Sequence, residues 1–250
     1  SNAHPLSFFE TIVAMAYAAF SDAPVDVAVV EVGMGGAWDA TNIADGQVAV
    51  LTPIAVDHAA YLGSDPVTIA REKVGIIKPG AEVISAAQLP EVLDVIAERC
   101  TEVGATLRVE GIDFRVESRV AAVGGQVLEI AGPWGHYSDL FLPLYGAHQA
   151  QNVSLALAAV EAFLGGQALG EQVVSEGFAE MTSPGRLEIV RRSPTIVLDA
   201  AHNPHGATAV VDALSDSFSF SPLIGVIGVM GDKDVEGLLA AFEPVFAHVV

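Results

Sequence analysis

The chain has 250 residues, enough for one large domain or two modest ones. Its apolar content of 52% and charged content of 17% exclude a disordered chain, and no apolar run reaches the roughly 20 residues that a membrane-spanning helix needs. A formal net charge of −20 and a sequence pI near 4.4 exclude the basic footprint of non-specific nucleic-acid binding. The acidic excess reads as a property of the surface that favours solubility. A single cysteine, Cys100, forbids an intrachain disulfide and fits a cytoplasmic protein. Its setting in EVLDVIAERC is that of a helix-packing residue. No secretory signal is recognisable, and the leading Ser-Asn-Ala reads as a cloning remnant without fold information.

Residues 5–20, PLSFFETIVAMAYAAF, predict a first helix. Ser7 is the candidate N-cap and Glu10, three residues on, completes a capping box. This helix is expected to pack on a sheet that begins at Val25. The run Val25–Val30 is apolar and β-branched without polar alternation, which suits a parallel strand buried on both faces. It ends at a carboxylate, Glu31, followed by a glycine-rich turn, GMGG. In open α/β sheets ligands sit beyond the carboxyl ends of such strands. A second apolar run, Val48–Leu51, leads through Thr52 and Pro53 to Asp57 and His58. Arg71, Glu72 and Lys73 lie on the next helix, which closes at Lys78-Pro79-Gly80. The geometry expected is Glu31 and His58 at the carboxyl ends of adjacent strands, with Lys73 facing the same crevice.

From there strand and helix alternate. AEVISAA is a strand, residues 90–104 a helix with Pro90 at its start, and Thr106–Glu110 a further strand. The runs RVESRVAAV and GQVLEIAG, separated by Gly124-Gly125, predict antiparallel hairpin strands. Trp134 and Tyr137 read as packing residues of that sheet. His148, Gln149 and Asn152 fall on the first turn of an alanine-rich helix, and residues 169–181 form another. Ser183-Pro184-Gly185 is the candidate domain boundary, dividing 4–182 from 183–250. Beyond it a strand, Thr195–Leu198, ends in Asp199, His202 and Asn203, and a helix over 204–215 follows. PLIGVIGVM reads as a buried strand, GDKDVEGLLAAF as a loop and helix, and VFAHVV as a strand beginning. This β-α-β-α order predicts an α/β fold with a second parallel sheet.

Taken singly these residues say little. A Glu at a strand end is commonly a turn residue, and Asp199 and His202 could simply cap the next helix. Together, EVGMGG-x-x-DATN, the Asp57-His58 pair, EK-x-GIIKPG, PGRLE and DAAHNP resemble the folylpolyglutamate synthase/dihydrofolate synthase family of the Mur ligase superfamily. The spacings from Glu31 to His58 to Lys73 fit as well, and the resemblance runs from about Leu6 to Val250. It implies a Mur-ligase-like central ATPase domain built on a parallel sheet with a small antiparallel section, followed by part of a Rossmann-like C-terminal domain.

The resemblance also implies a chemistry. Glu31, His58 and Lys73 would bind Mg2+ between ATP phosphates and the acyl substrate, with His58 and Lys73 counted as catalytic. Lys73 would be carbamylated, which turns a repelled ammonium into an oxygen donor that magnesium prefers. Asn152, Arg186, Asp199 and His202 would contact ATP; the guanidinium of Arg186 suits phosphate. The implied reaction activates a carboxylate of dihydropteroate or a folate as an acyl phosphate, which L-glutamate attacks. A cytoplasmic monomer without nucleic-acid or membrane partners is expected.

Four departures stand out. Ala37 occupies a position where the family usually has arginine, Trp38 one where an aliphatic residue is frequent, and Ala200 one where glycine is usual. No G-x-x-x-x-G-K-[ST] phosphate loop occurs in these 250 residues. The chain therefore reads as an internal piece of a longer ligase, without turnover of its own. A peptidoglycan Mur ligase and a non-catalytic nucleotide- or folate-binding module are the alternatives.

Overall fold

The structure is a computed structural model that describes residues 5–55, 62–63, 65–231 and 233–250. Asp57 and His58 lie outside the described residues. The chain divides into two compact units, Ser1–Val83 with Gln88–Leu107, and Ile84–Ala87 with Arg108–Val250. Among the described residues no helix is long and apolar enough to cross a membrane.

The first unit opens with helix α1, Phe8–Asp22. Its capping box forms as expected: Ser7 Oγ accepts from Glu10 N at 3.2 Å, and Ser7 N donates to Glu10 Oε2 at 2.6 Å. The expected packing of this helix does not. Val13 is its one buried residue, while Phe8, Ile12 and Met15 are exposed. The following run, Val25–Val30, is not a strand. It has no ladder partner among the described residues, and Val29 is 96% exposed. A β-branched run becomes a buried parallel strand only where neighbours supply the ladder and both faces are covered. Neither condition is met at these residues.

The core of the unit forms further on. Strands β1 (Val48–Leu51), β2 (Glu82–Ser85) and β3 (Thr106–Val109) make a sheet in that order. Thr106 N donates to Ala81 O and Glu110 N to Ser85 O, so β2 and β3 advance together as a parallel pair. Helix α2 (Pro66–Lys73) starts at an Asp65 cap with Pro66 just inside it, the position where a missing N–H is harmless. Helix α3 (Pro90–Val103) likewise starts on proline, and it stops at Gly104, whose φ of 66° favours glycine. Ile69 and Ala70 of α2, Val92 and Ile96 of α3 and Val83 of β2 close a core that includes Cys100.

In the second unit β4 (Arg115–Ala122), β5 (Gly125–Ala131) and β6 (His136–Leu142) form the expected antiparallel meander. Leu128 and Ile130 alternate onto one face and pack on helix α4 (Ala147–Phe163) and helix α5 (Glu171–Ala179). Ala150, Val153 and Leu157 are the apolar stripe of α4, and helical periodicity continues that stripe to Glu161. A fully buried carboxylate results. Tyr137 Oη donates to Glu161 Oε1 at 2.6 Å, Trp134 N approaches Oε2 at 3.4 Å, and Leu169 N donates to Tyr137 Oη at 2.8 Å. Tyr137 is thus the packing residue expected, whereas Trp134 stacks under Arg108, 4.1 Å from its guanidinium carbon.

The last segment holds the hairpin of β7 (Glu188–Arg192) and β8 (Thr195–Leu198), helix α6 (Pro204–Ser217), strand β9 (Ile224–Gly225), helix α7 (Val235–Phe242) and strand β10 (His248–Val249). The second parallel sheet is smaller than expected. β9 and β10 pair in parallel, but β8 pairs antiparallel with β7. The hairpin, joined by a tight turn, gives β8 a local partner at little loop-closure cost.

Burial drives the Glu161 carboxyl above its ordinary 4.5, against the opposing pull of its bonds from Tyr137, Trp134 and Gly135. Tyr137 is itself pushed up to about 12, first by burial and then by Glu161. A carboxyl raised in the folded state contributes its stability below the unfolded value and loses it as pH rises through the folded value. The unfolding free energy of the native chain should therefore fall relative to that of Glu161→Gln as pH rises from about 4 to 7, measured by urea titration at each pH. A difference constant over that range would mean that Glu161 titrates normally.

Candidate functional site

In the first unit, the glycine turn after Glu31 is bound to the end of α2 by main-chain contact. Ala37 N donates to Glu72 O at 3.0 Å and Trp38 N to Glu72 Oε1 at 3.1 Å. A Cβ on Gly36 would stand 2.7 Å from Glu72 O and 2.8 Å from Lys73 O. A Cβ on Gly75 would run into Ala37. Glycine is required at both places because backbone meets backbone there.

Two side chains of the DATN segment hold this crossing. Asp39 is buried, and its carboxylate accepts from Met34 N at 2.8 Å, Thr41 N at 2.9 Å and Thr41 Oγ1 at 2.5 Å. Burial pushes the Asp39 carboxyl up, but the bonds from Thr41, Met34 and Gly33 outweigh it and leave the group below its ordinary value. Asn42 Nδ2 donates to Ala37 O and Gly75 O, both at 3.1 Å, and Lys78 Nζ donates to Asn42 O at 2.7 Å.

The clamped turn lines a cavity of about 190 Å³. Val32, Gly33, Met34 and Gly35 line it together with Ala55, Leu62, Ile69 and Lys73. Lys73, the last residue of α2, thus shares a cavity with the glycine turn. Glu31 is exposed and immediately precedes the cavity-lining residues. Its pairing with His58 falls outside the described residues. Among the described residues no three His, Cys, Asp or Glu side chains converge as a metal would require. Glu31 and Lys73 alone are one carboxylate and one amine. That donor set suits magnesium only if the amine is converted to an oxygen donor and a phosphate completes the shell.

The second candidate cluster is in the second unit. Gly146, at φ 92°, precedes α4, and a Cβ there would meet both Ala213 of α6 and the His148 ring. His148 and Gln149 fall on the first turn of α4 as expected; Asn152 Nδ2 donates to Gln149 Oε1 at 3.3 Å. His148 is held below its ordinary 6.5, chiefly by burial; Asp199 opposes this, and Arg186 and His205 add to it. His205 was not anticipated; its place directly after the DAAHNP run was the available signal.

Asp199 and His202 do not cap α6. Asn203 does, accepting from Gly206 N at 2.8 Å. The Asp199 carboxylate instead accepts from Leu187 N at 2.9 Å and from Ala201 N at 2.7 Å, tying the PGRLE turn to the DAAHNP loop. Leu187 is buried at a φ of 48°, an uncommon conformation for a branched residue, and Asp199 holds its amide there. His202 places Nδ1 3.1 Å from Ala200 O.

A model of the Mur ligase middle domain matches residues 9–160, and one of the Mur ligase glutamate ligase domain matches residues 185–250. The chain belongs to the Mur ligase family. The dihydrofolate synthase/folylpolyglutamate synthase of Mycobacterium tuberculosis is 53% identical over 254 residues, covering 98% of this chain and 52% of the relative. A solved structure of the Mycobacterium tuberculosis folylpolyglutamate synthase complexed with ADP superposes with a TM-score of 0.94 over 98% of this chain and 55% of that one, at 53% identity. A solved FPGS–AMPPCP–folate complex matches at a TM-score of 0.91 and 35% identity, over 98% of this chain and 60% of that one. The chain thus spans a little over half the length of these relatives. The folylpolyglutamate synthase/dihydrofolate synthase resemblance and the mixed α/β Mur-ligase-like fold are borne out.

The His148 ring should titrate below 6.5 when followed by NMR. Arg186→Gln, which removes a cation, should raise its midpoint, and Asp199→Asn should lower it further. Equal midpoints in all three proteins would place His148 away from both side chains.

Proposed function

We propose that this chain carries the Mur ligase middle and glutamate ligase segments of an ATP-dependent ligase that adds L-glutamate to dihydropteroate or a folate. The observation that carries the reading is the cavity where the clamped glycine turn faces Lys73. Its support from relatives is the Mur ligase match over both segments and the ADP, AMPPCP and folate named in the solved complexes. The proposed domains are 4–182 and 183–250, and the working form a cytoplasmic monomer.

In this reading Glu31, His58 and a carbamylated Lys73 would hold magnesium, which would offset negative charge on the phosphates. The chain's own groups do the positioning. Arg186 offers two parallel donors to a phosphate, and Asn152 and His202 contact the nucleotide beside it. Asp199 contributes both as a nucleotide contact and by fixing the Arg186–Leu187 turn. A substrate carboxylate takes the γ-phosphoryl group as an acyl phosphate. The glutamate amine then attacks the acyl carbon, the amide forms, and phosphate leaves.

Phosphate release should be followed with magnesium, ATP, bicarbonate, dihydropteroate and glutamate in a protein of the relatives' full length. Lys73→Ala should lower turnover by about 10²–10³-fold, the scale for removing one group that stabilises developing charge. The mass at Lys73, compared with and without bicarbonate, tests the carbamate separately. The 250-residue chain alone should show no turnover, because it has no phosphate loop to position the γ-phosphoryl group. Turnover with a muramyl substrate in place of dihydropteroate would overturn the substrate assignment.

Arg186→Ala should weaken nucleotide binding by about 1–3 kcal/mol, the scale for losing a charge-assisted hydrogen bond. Unchanged binding by calorimetry would return Arg186 to a structural role.

A further inference from the structure

Leu144, Tyr145 and Gly146 lie in the link from the end of β6 to α4. Tyr145 leaves the core of its own sheet and packs with Ala207, Val210, Ala213 and Leu214 of α6. Its ring lies 4.7 Å from that of Phe218, which stacks on Phe220 at 5.0 Å. Gly146 admits Ala213 so closely that a Cβ would stand 2.7 Å from the alanine methyl. The start of α4, with His148, is thereby seated on α6, whose first residues continue the DAAHNP loop.

The same three residues are gripped from the other side by a buried amide. Gln126 is on the core face of β5 with Leu128 and Ile130, a position that alternation would give to an apolar residue. Its Nε2 donates to Leu144 O at 2.9 Å and to Gly146 O at 3.0 Å. Its Oε1 accepts from Arg119 Nη1 of β4 at 3.3 Å, and Arg119 Nη1 reaches Asp216 Oδ2 of α6 at 2.7 Å. Every polar atom of the Gln126 side chain is thus engaged, and the network ends on the helix that Tyr145 packs against. A half-exposed ion pair alone contributes little. A buried amide with both carbonyls satisfied fixes one geometry.

We propose that Gln126, Arg119, Tyr145 and Asp216 are positioning residues: a latch that holds the residues matched to the glutamate ligase domain against the start of α4. The latch seats the start of α4, with His148, on α6, whose first residues continue the DAAHNP loop. Its consequence for ligand binding rests on the nucleotide reading of Arg186 and Asp199; its consequence for geometry does not. With the latch broken, the Asp199 loop and the α4 start would sample separate positions, and a ligand needing both would bind only the latched fraction.

The test measures geometry and binding separately. Nitroxide labels at Glu129→Cys and Asp212→Cys, in a Cys100→Ala background of the full chain, report the distance between β5 and α6 by pulsed electron resonance. One narrow distance is expected for the unmodified network. Gln126→Ala and Arg119→Asp should each broaden it, and should move the His148 midpoint toward its ordinary 6.5. Arg119→Lys, which keeps a donor for both Gln126 and Asp216, should keep the narrow distance, and an unchanged far-UV circular dichroism spectrum in the broadened variants separates them from a general loss of folding. Calorimetry with magnesium and ADP on the intact protein should show about a tenfold weaker apparent affinity for Arg119→Asp if the latched fraction falls to a tenth, and near-native affinity for Arg119→Lys. A narrow distance in both Gln126→Ala and Arg119→Asp, or a distance as broad in Arg119→Lys as in Arg119→Asp, would overturn the latch. If ADP binding responds to Arg186→Ala but not to Arg119→Asp, the latch fails and the nucleotide reading stands. If ADP binding responds to neither, that reading fails and the distances alone decide the latch.

Discussion

Where residues 35–37 cross the end of α2 there is no space for one more carbon. Gly36 lies against the carbonyls of Glu72 and Lys73, and Gly75 lies against Ala37. Much of the first site follows from this contact. It fixes the height of the glycine turn over the helix, and so fixes what faces Lys73. A backbone crossing this close has few attractive atoms of its own, so polar side chains must hold it. Asp39 gathers Met34, Thr41 and Gly33 on one side, and Asn42 bridges Ala37 and Gly75 on the other. The DATN segment is therefore a fastener, and its acid is ionised because its partners are donors.

The second unit uses two carboxylates in opposite electrostatic settings. Asp199 accepts two backbone amides and holds a residue with positive φ in place. Glu161 is buried on an apolar helix stripe, and a tyrosine hydroxyl is its closest donor. The first arrangement gives the carboxylate two amide donors. The second carries a standing desolvation cost at neutral pH. Gly132 and Gly135 let the turn between β5 and β6 close on Glu161; a Cβ at Gly132 would stand 2.5 Å from Oε2. That close approach gives the meander a fixed attachment to α4, whose other end carries His148.

The sequence was most legible where local chemistry decides. The Ser7–Glu10 box, the proline starts of α2 and α3, the Gly104 stop and the β4–β5 hairpin each depend on a few adjacent residues. It was least legible where the outcome depends on distant partners. Val25–Val30 has strand composition but no partner among the described residues. Thr195–Leu198 has a parallel-strand pattern but takes the nearer antiparallel neighbour. Of the site, the motifs singled out Glu31, Lys73, Arg186, Asp199 and His202, and the structure puts Lys73 on a cavity lined by the turn after Glu31. The roles of Asp39, Asn42 and Gln126 were not, because an amide or acid that binds main chain leaves no pattern of its own in one sequence.

Charge adds a constraint that no single motif shows. The chain holds 11 Lys and Arg against 31 Asp and Glu. Several of its cations are already committed: Arg99 to Glu102, Arg115 to Glu117, Arg119 to Asp216, and Lys78 to the Asn42 carbonyl. Arg186 and Lys73 stand at the two candidate clusters. A protein with this balance repels anions at long range, so an anionic nucleotide or folate gains little from steering. Under the proposed function, attraction would be local, from the Arg186 guanidinium beside the turn that Asp199 fixes and from a divalent cation brought with the phosphates. A carbamate at Lys73 would be a poor choice if that residue were the sole cation for the ligand. It becomes a sensible one when the ion supplies the positive charge and the protein's task is to offer it oxygen. Under the proposed function, the cavity shared by Lys73 and the glycine turn would place a metal–phosphate complex rather than attract the anion directly.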